Sequence, residues 1–239
     1  MRIEHQFSIA GFEVSVSFPD GWDADTLLPS FRPFYGKKEG QEKALLKCTV
    51  CTSVENKAAM PSGELIENTL SDMGYVSLYK EAEGYCVTLS AEQGGTLHVM
   101  QTDRRFSTVR VYLHEEDKRA GHALSSLLRI AYSQAVLYWD AVSIHASAVY
   151  CENKAFLFMG KSGTGKSTHS SLWMKYIQGT ELLNDDNPTL RIVDGKVYAY
   201  GTPWSGKTPC YKSLSYPVGG MVRLKQAPAN RFVRQQEIE

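Results

Sequence analysis

Eight consecutive residues, Gly160-Lys161-Ser162-Gly163-Thr164-Gly165-Lys166-Ser167, carry the strongest chemical signal in the chain. They match the pattern G-x-x-x-x-G-K-[ST] and stand between an apolar strand-like run, Ala155 to Met159, and a stretch of helical character from Lys166 to about Ile177. Glycine at positions 160, 163 and 165 lets the backbone curl so that successive N–H groups aim inward, and the helix that follows adds its positive end to the same cradle. Lys166 brings a compact positive charge suited to β- and γ-phosphates, and Ser167 is placed to ligate Mg²⁺. The spacing predicts a nucleoside triphosphate and Mg²⁺ site formed by residues Gly160 to Thr168, and the choice of ATP comes with the kinase reading below.

Two further features bear on what such a site would do. Glu181-Leu-Leu-Asn-Asp185-Asp186-Asn187 places paired carboxylates at the end of a short apolar strand soon after the loop helix. Beside Mg²⁺ and a γ-phosphate, two carboxylates can divide the work: Asp185 holds the cation and Asp186 accepts the proton of an attacking hydroxyl. The alternative is a turn-forming cluster whose charges are merely solvated. Upstream, Ser143-Ile-His145-Ala-Ser147 sets a histidine in an apolar stretch, which by itself reads better as a core histidine.

Taken together, His145, the Gly160–Ser167 loop and the Asp185-Asp186-Asn187 run make the segment from about Ser143 to Asn187 resemble the catalytic domain of bacterial HPr kinase/phosphorylase. That family shares its fold with phosphoenolpyruvate carboxykinase rather than with ordinary P-loop NTPases. The resemblance implies an α/β (α+β) domain with a PEP carboxykinase-like P-loop and a mixed sheet. It assigns catalytic roles to His145, Lys166 and Asp186 and the magnesium-binding loop position to Ser167, beside which the carboxylate pair offers Asp185 as a further metal ligand. At the loop position where those enzymes carry an acidic residue, this chain has Lys161. Gly201-Thr-Pro-Trp-Ser-Gly-Lys207 resembles a loop of the HPr-kinase-like proteins found beside peptide-modification genes; a Gly-flanked loop carrying Lys207, Ser205 and Trp204 can close over the γ-phosphate or meet the acceptor, the alternative being an ordinary surface turn. The family's catalytic arginine has no clear counterpart; Arg231 and Arg234 are candidates by their late position.

The elements that must position these residues divide the chain. From Phe7 to about Arg110, short alternating segments such as Phe12-Glu-Val-Ser-Val-Ser-Phe18 predict amphipathic strands, and Ser62 to Met73 reads as one short helix. Leu124, Leu127, Leu128, Ala131 and Ala135 recur at helical spacing, predicting a long helix over about His122 to Trp139. Beyond it, strands alternating with helices indicate an α/β layer fold. Asp194-Gly195, between Thr189–Val193 and Lys196–Tyr200, predicts a tight hairpin. The expected division is a smaller β-rich accessory lobe over 1–110 and an ATP-binding domain over 111–239.

Composition excludes several classes. In 239 residues, 26 Lys and Arg balance 26 Asp and Glu, so no overall field favours nucleic acid or a membrane surface. Neither a signal peptide nor a spanning segment is legible, which predicts a cytoplasmic protein. The five cysteines are scattered. Cys48-Thr-Val-Cys51 is a C-x-x-C within a strand-like run, where residues three apart face opposite ways, and no second half of a zinc site accompanies it.

These features lead to an ATP-dependent kinase acting on a serine or similar hydroxyl of a protein, peptide or small molecule. The alternatives are a non-catalytic nucleotide-binding regulatory or scaffold protein and a small carboxykinase. The N-terminal half is left to acceptor binding, homo-oligomer formation or support.

Overall fold

A computed structural model describes residues 1–36, 44–52, 59–206, 208–229 and 231–234. Within them the chain builds two mixed sheets and few helices. The first sheet comprises β1 (Arg2–Ile9), β2 (Phe12–Pro19), β3 (Leu46–Cys51), β4 (Glu64–Ser71), β5 (Gly74–Lys80), β6 (Gly84–Ser90), β7 (His98–Asp103) and β8 (Thr108–Tyr112). A short helix, α1 (Ala24–Leu27), follows β2. Its strand order is β1-β2-β3-β8-β7-β6-β5-β4, with β3 parallel to both neighbours and the other pairs antiparallel.

Alternation does what the sequence pattern requires in β2, where Phe12, Val14, Val16 and Phe18 all enter the core. On β3, Cys48 and Cys51 fall in separate core clusters, so the C-x-x-C does not converge on one ligand. The segment Ser62 to Met73 is not a helix: it forms the edge strand β4 and turns at Asp72-Met73 into β5. A bulge between Leu65 and Glu67 shifts the phase of the side chains, and nearly every β4 residue is exposed. Both effects erase the period-two signature, while pairing with β5 supplies the backbone hydrogen bonds that a helix would otherwise make.

Helix α2 (Ala120–Ala135) continues into a 3₁₀ turn over Val136–Tyr138. Ala123, Leu124, Leu127, Leu128, Ala131 and Ala135 are buried in the core that includes the first sheet. Gly121 permits close contact with α1: a Cβ there would lie 2.8 Å from the Leu27 carbonyl oxygen.

The second sheet contains β9 (Ala141–Ser143), β10 (Ala146–Cys151), β11 (Lys154–Met159), β12 (Glu181–Asn184), β13 (Thr189–Val193), β14 (Lys196–Tyr200) and β15 (Ser215–Arg223), with helix α3 (Lys166–Tyr176) between β11 and β12. The order is β12-β10-β11-β15-β14-β13-β9, and β11–β15 is its parallel pair. Hairpins rather than regular strand–helix alternation dominate, so the architecture is mixed α/β with two mixed sheets. Asp194 and Gly195 turn β13 into β14 with φ of 49° and 71°, as the tight turn requires.

Helix α2 also binds the second sheet. The buried Tyr132 hydroxyl lies 3.1 Å from Thr189 Oγ1 on β13. Arg191 on β13 donates to the Ala10 and Gly11 carbonyls in the β1–β2 turn and stacks over Phe12. Trp204 is buried, with ring centroids 5.0 Å from Tyr132 and 5.6 Å from Phe31, and its indole N–H donates to the Ser125 carbonyl at 2.9 Å. This corrects its expected place at a closing loop surface: Trp204 anchors that loop from within.

Trp204→Ala is therefore expected to destabilise the protein by about 3–5 kcal/mol, the range for truncating a buried aromatic. Urea unfolding measures this directly; a loss below about 1 kcal/mol would contradict the anchoring role.

Candidate phosphate and carboxylate site

The loop after β11 adopts the conformation that its glycines permit. Gly163 and Gly165 have φ of 80° and 96°, in the left-handed region, and Gly165 precedes the first residue of α3. Gly160 is enclosed, since a Cβ there would lie 2.6 Å from Thr164 Oγ1. Thr164 bonds back to the Lys161 carbonyl through both its hydroxyl and its N–H. Lys161 and Ser162 are exposed, as are Ser167 and Thr168 at the start of α3. Lys166 is buried, and its Nζ donates to the carbonyls of Gly160 and Lys161 at 3.0 and 3.2 Å. The ammonium is thus satisfied by carbonyls of its own loop.

The carboxylate pair stands on a turn organised by Asn184, the last residue of β12. Its side chain is fully buried: Oδ1 accepts from the N–H groups of Asp186 and Asn187 at 3.0 and 2.8 Å, while Nδ2 donates to the Trp204 carbonyl at 3.0 Å and lies 3.3 Å from Thr202 O and Oγ1. An asparagine bonding the backbone two residues ahead is a turn-forming device, so the Asp185-Asp186 direction is set locally. Gly206 completes the enclosure, because a Cβ there would stand 2.8 Å from the Asp185 carbonyl oxygen.

Asp185 is buried, and its Oδ1 accepts from the Ser147 hydroxyl on β10 at 2.7 Å. Ser147 Oγ also lies 2.6 Å from Ser170 Oγ on α3. With the Ser147 proton directed to the carboxylate, Ser170 donates to Ser147, giving a relay that connects the helix beginning at the glycine-rich loop with Asp185. Asp185 Oδ2 is buried and has no hydrogen-bond partner among the described residues. An orphaned carboxylate oxygen is costly unless something satisfies it. Among the described residues no group of three or more His, Cys, Asp and Glu could hold a metal. A cation bound partly through other groups needs only one or two protein carboxylates, so the unpartnered Asp185 Oδ2 is a candidate ligand.

Asp186 is only 13% exposed at its side chain and lies between two cationic or potentially cationic groups. His145 Nε2 is 3.5 Å from Oδ1; Arg129 Nη1 is 3.0 Å from Oδ2. His145 is held there by the backbone, since the flanking Ile144 and Ala146 N–H groups bond the carbonyls of Pro188 and Asp186. Its ring is 52% exposed, which sets it at the rim rather than in the core.

The structure thus brings His145 to Asp186, and Asp185 to α3 through Ser147 and Ser170. Lys207 lies outside the described residues, and Ser205 donates to the Thr208 carbonyl. Arg231 and Arg234 are exposed. Arg129, Ser147, Ser170 and Asn184 were missed by the sequence reading. Asn184 had a usable signal, an asparagine opening an Asp-Asp turn; Arg129 had none, because on α2 it reads as an ordinary polar-face residue.

No protein-family model and no curated protein matches the chain. Among solved structures, the Hpr(Ser) kinase/phosphatase from Coxiella burnetii is similar over 39% of this chain and 65% of that one, with 14% identity and a TM-score of 0.31. The chain thus spans just under two thirds of that structure's length. Among the described residues, no helix is long and apolar enough to cross a membrane.

Ser147→Ala removes the donor to a buried carboxylate and is expected to lower the unfolding free energy by about 1–3 kcal/mol. In a cycle with Asp185→Asn, the two losses are expected to fall short of additivity by at least about 0.5 kcal/mol. Strict additivity in denaturant titrations would show that Ser147 and Asp185 are not coupled.

Proposed function

We propose that the chain is an ATP-dependent kinase that transfers the γ-phosphoryl group to a serine or similar hydroxyl of a protein, peptide or small molecule. The observation that carries this reading is the Ser170–Ser147–Asp185 relay, which ties the helix of the phosphate loop to a turn bearing two carboxylates in different environments. Asp185, enclosed with one unpartnered oxygen, suits cation binding. Asp186, near the rim beside His145, suits proton acceptance.

In this reading the loop amides and Lys166 hold the phosphates, with Lys166 leaving its loop carbonyls as they arrive. Ser167 and Asp185 would hold Mg²⁺, which neutralises charge on the phosphates. The acceptor oxygen attacks the γ-phosphorus and its proton passes to Asp186, while the bond to the β–γ bridging oxygen breaks and ADP departs. His145 steadies the Asp186 carboxylate at Oδ1. Because phosphoryl transfer depends chiefly on positioning and charge stabilisation, this set suffices. The motif resemblance to HPr kinase/phosphorylase supports a PEP carboxykinase-like P-loop domain; its bounds at 111–239, an accessory lobe over 1–110 and a cytoplasmic location belong to the same proposal and rest on the sequence pattern alone.

Loss of a charge-assisted contact makes Lys166→Met expected to weaken MgATP binding by at least about tenfold in equilibrium titration. Asp186→Asn is expected to keep MgATP affinity within about threefold while transfer falls about 10²–10⁴-fold, the usual range for losing a general base. Wild-type turnover by Asp186→Asn would remove the base assignment.

A further inference from the structure

We propose that Arg129 positions the base Asp186, and that the first sheet contributes to the reaction through this residue and its second partner, Asp72. The inference rests on the kinase reading above and extends it to a part of the fold to which that reading gives no task.

Arg129 Nη1 is shared between two carboxylates, Asp186 Oδ2 at 3.0 Å and Asp72 Oδ2 at 3.2 Å. The side chains differ in environment: Arg129 is 21% exposed and Asp186 13%, whereas Asp72 is 66% exposed. The inner pair is partly desolvated, so losing either partner leaves an underpaired charge; the outer pair is close to a surface ion pair. Arg129 therefore forms a partly desolvated ion pair with Asp186, while the same Nη1 donates a hydrogen bond to Asp72 Oδ2.

The geometry makes this a positioning device. A carboxylate that must accept a proton through one oxygen has to be prevented from rotating. The Arg129 charge, 3.0 Å from Oδ2, draws that oxygen toward α2 and leaves Oδ1 on the His145 side. Both ends of the restraint are rigidly mounted. Arg129 projects from α2, whose opposite face is packed into the core. Asp72 lies on the β4–β5 turn, where the Ser71 hydroxyl accepts from Met73 N–H at 3.2 Å. Gly74 follows with φ of 116°, and a Cβ there would stand 2.5 Å from the Ser90 carbonyl oxygen. The backbone at Gly74 thus lies close against β6 beside this turn.

The test uses the full chain and MgATP, with water as acceptor and inorganic phosphate release as readout. Arg129→Gln is expected to lower kcat about 10²-fold, the cost of a misplaced catalytic group, with KM for MgATP within about threefold of wild type. Arg129→Lys restores charge without the planar fork and should recover part of the loss, to about tenfold below wild type. Asp72→Asn, an exposed change that leaves the fold intact, should cost about twofold to fivefold in kcat alone. Should Arg129→Gln fail to fold, the lysine and Asp72 variants decide. The proposal is overturned if both run at the wild-type rate, or if the loss lies in KM rather than kcat. If Asp186→Asn is impaired and Arg129→Gln is not, this inference alone fails. If wild type releases no more phosphate than Asp186→Asn, the kinase reading fails and carries the inference down with it.

Discussion

The Asn184 carboxamide is the interaction on which the rest of the site depends. One fully buried side chain uses its acceptor to shape the Asp185-Asp186-Asn187 turn and its donor to hold the Thr202–Trp204 segment. A leucine of similar volume would fill the space but would orphan several backbone groups in the interior, at about 1–3 kcal/mol for each. Without that turn the two carboxylates have no reason to differ. With it, Asp185 points inward to Ser147 and Asp186 toward the rim, so a sequence doublet becomes two chemically distinct groups.

The second constraint is mechanical. Helix α2 packs into the core with the first sheet and engages the second sheet through Tyr132, Ser125 and Arg129. Trp204 inserts between Phe31 and Tyr132, so the loop that Asn184 holds from one end is fixed by aromatic packing at the other. Arg191 secures the reverse direction by binding the β1–β2 turn. The two sheets thus meet at α2, and the carboxylate turn lies at that junction.

Legibility followed locality. The Gly160–Ser167 loop is contiguous and its glycines take backbone angles that other residues rarely adopt, so its local course was readable from eight residues. The Asp194-Gly195 hairpin was readable for the same reason. The separate environments of Asp185 and Asp186 were not, since they depend on Ser147 and Asn184 meeting the turn from other strands. Arg129 lies 57 residues from each partner (129 − 72 and 186 − 129), and no local pattern spans such distances. The β4 segment was read as a helix because an exposed, bulged edge strand lacks alternation; its pairing with β5 is information that its own residues do not contain. Trp204 looked like a surface-loop residue because its neighbours are Gly, Pro and Ser, whereas its burial is decided by α2.

The most direct test of the account is a crystal structure with a non-hydrolysable ATP analogue and Mg²⁺. The account predicts phosphates on the Gly160–Ser167 loop with Lys166 Nζ moved from its loop carbonyls, the cation on Ser167 and Asp185, and Asp186 facing the γ-phosphate. A nucleotide bound elsewhere, or an Asp186 carboxylate turned away from a bound γ-phosphate, would contradict it.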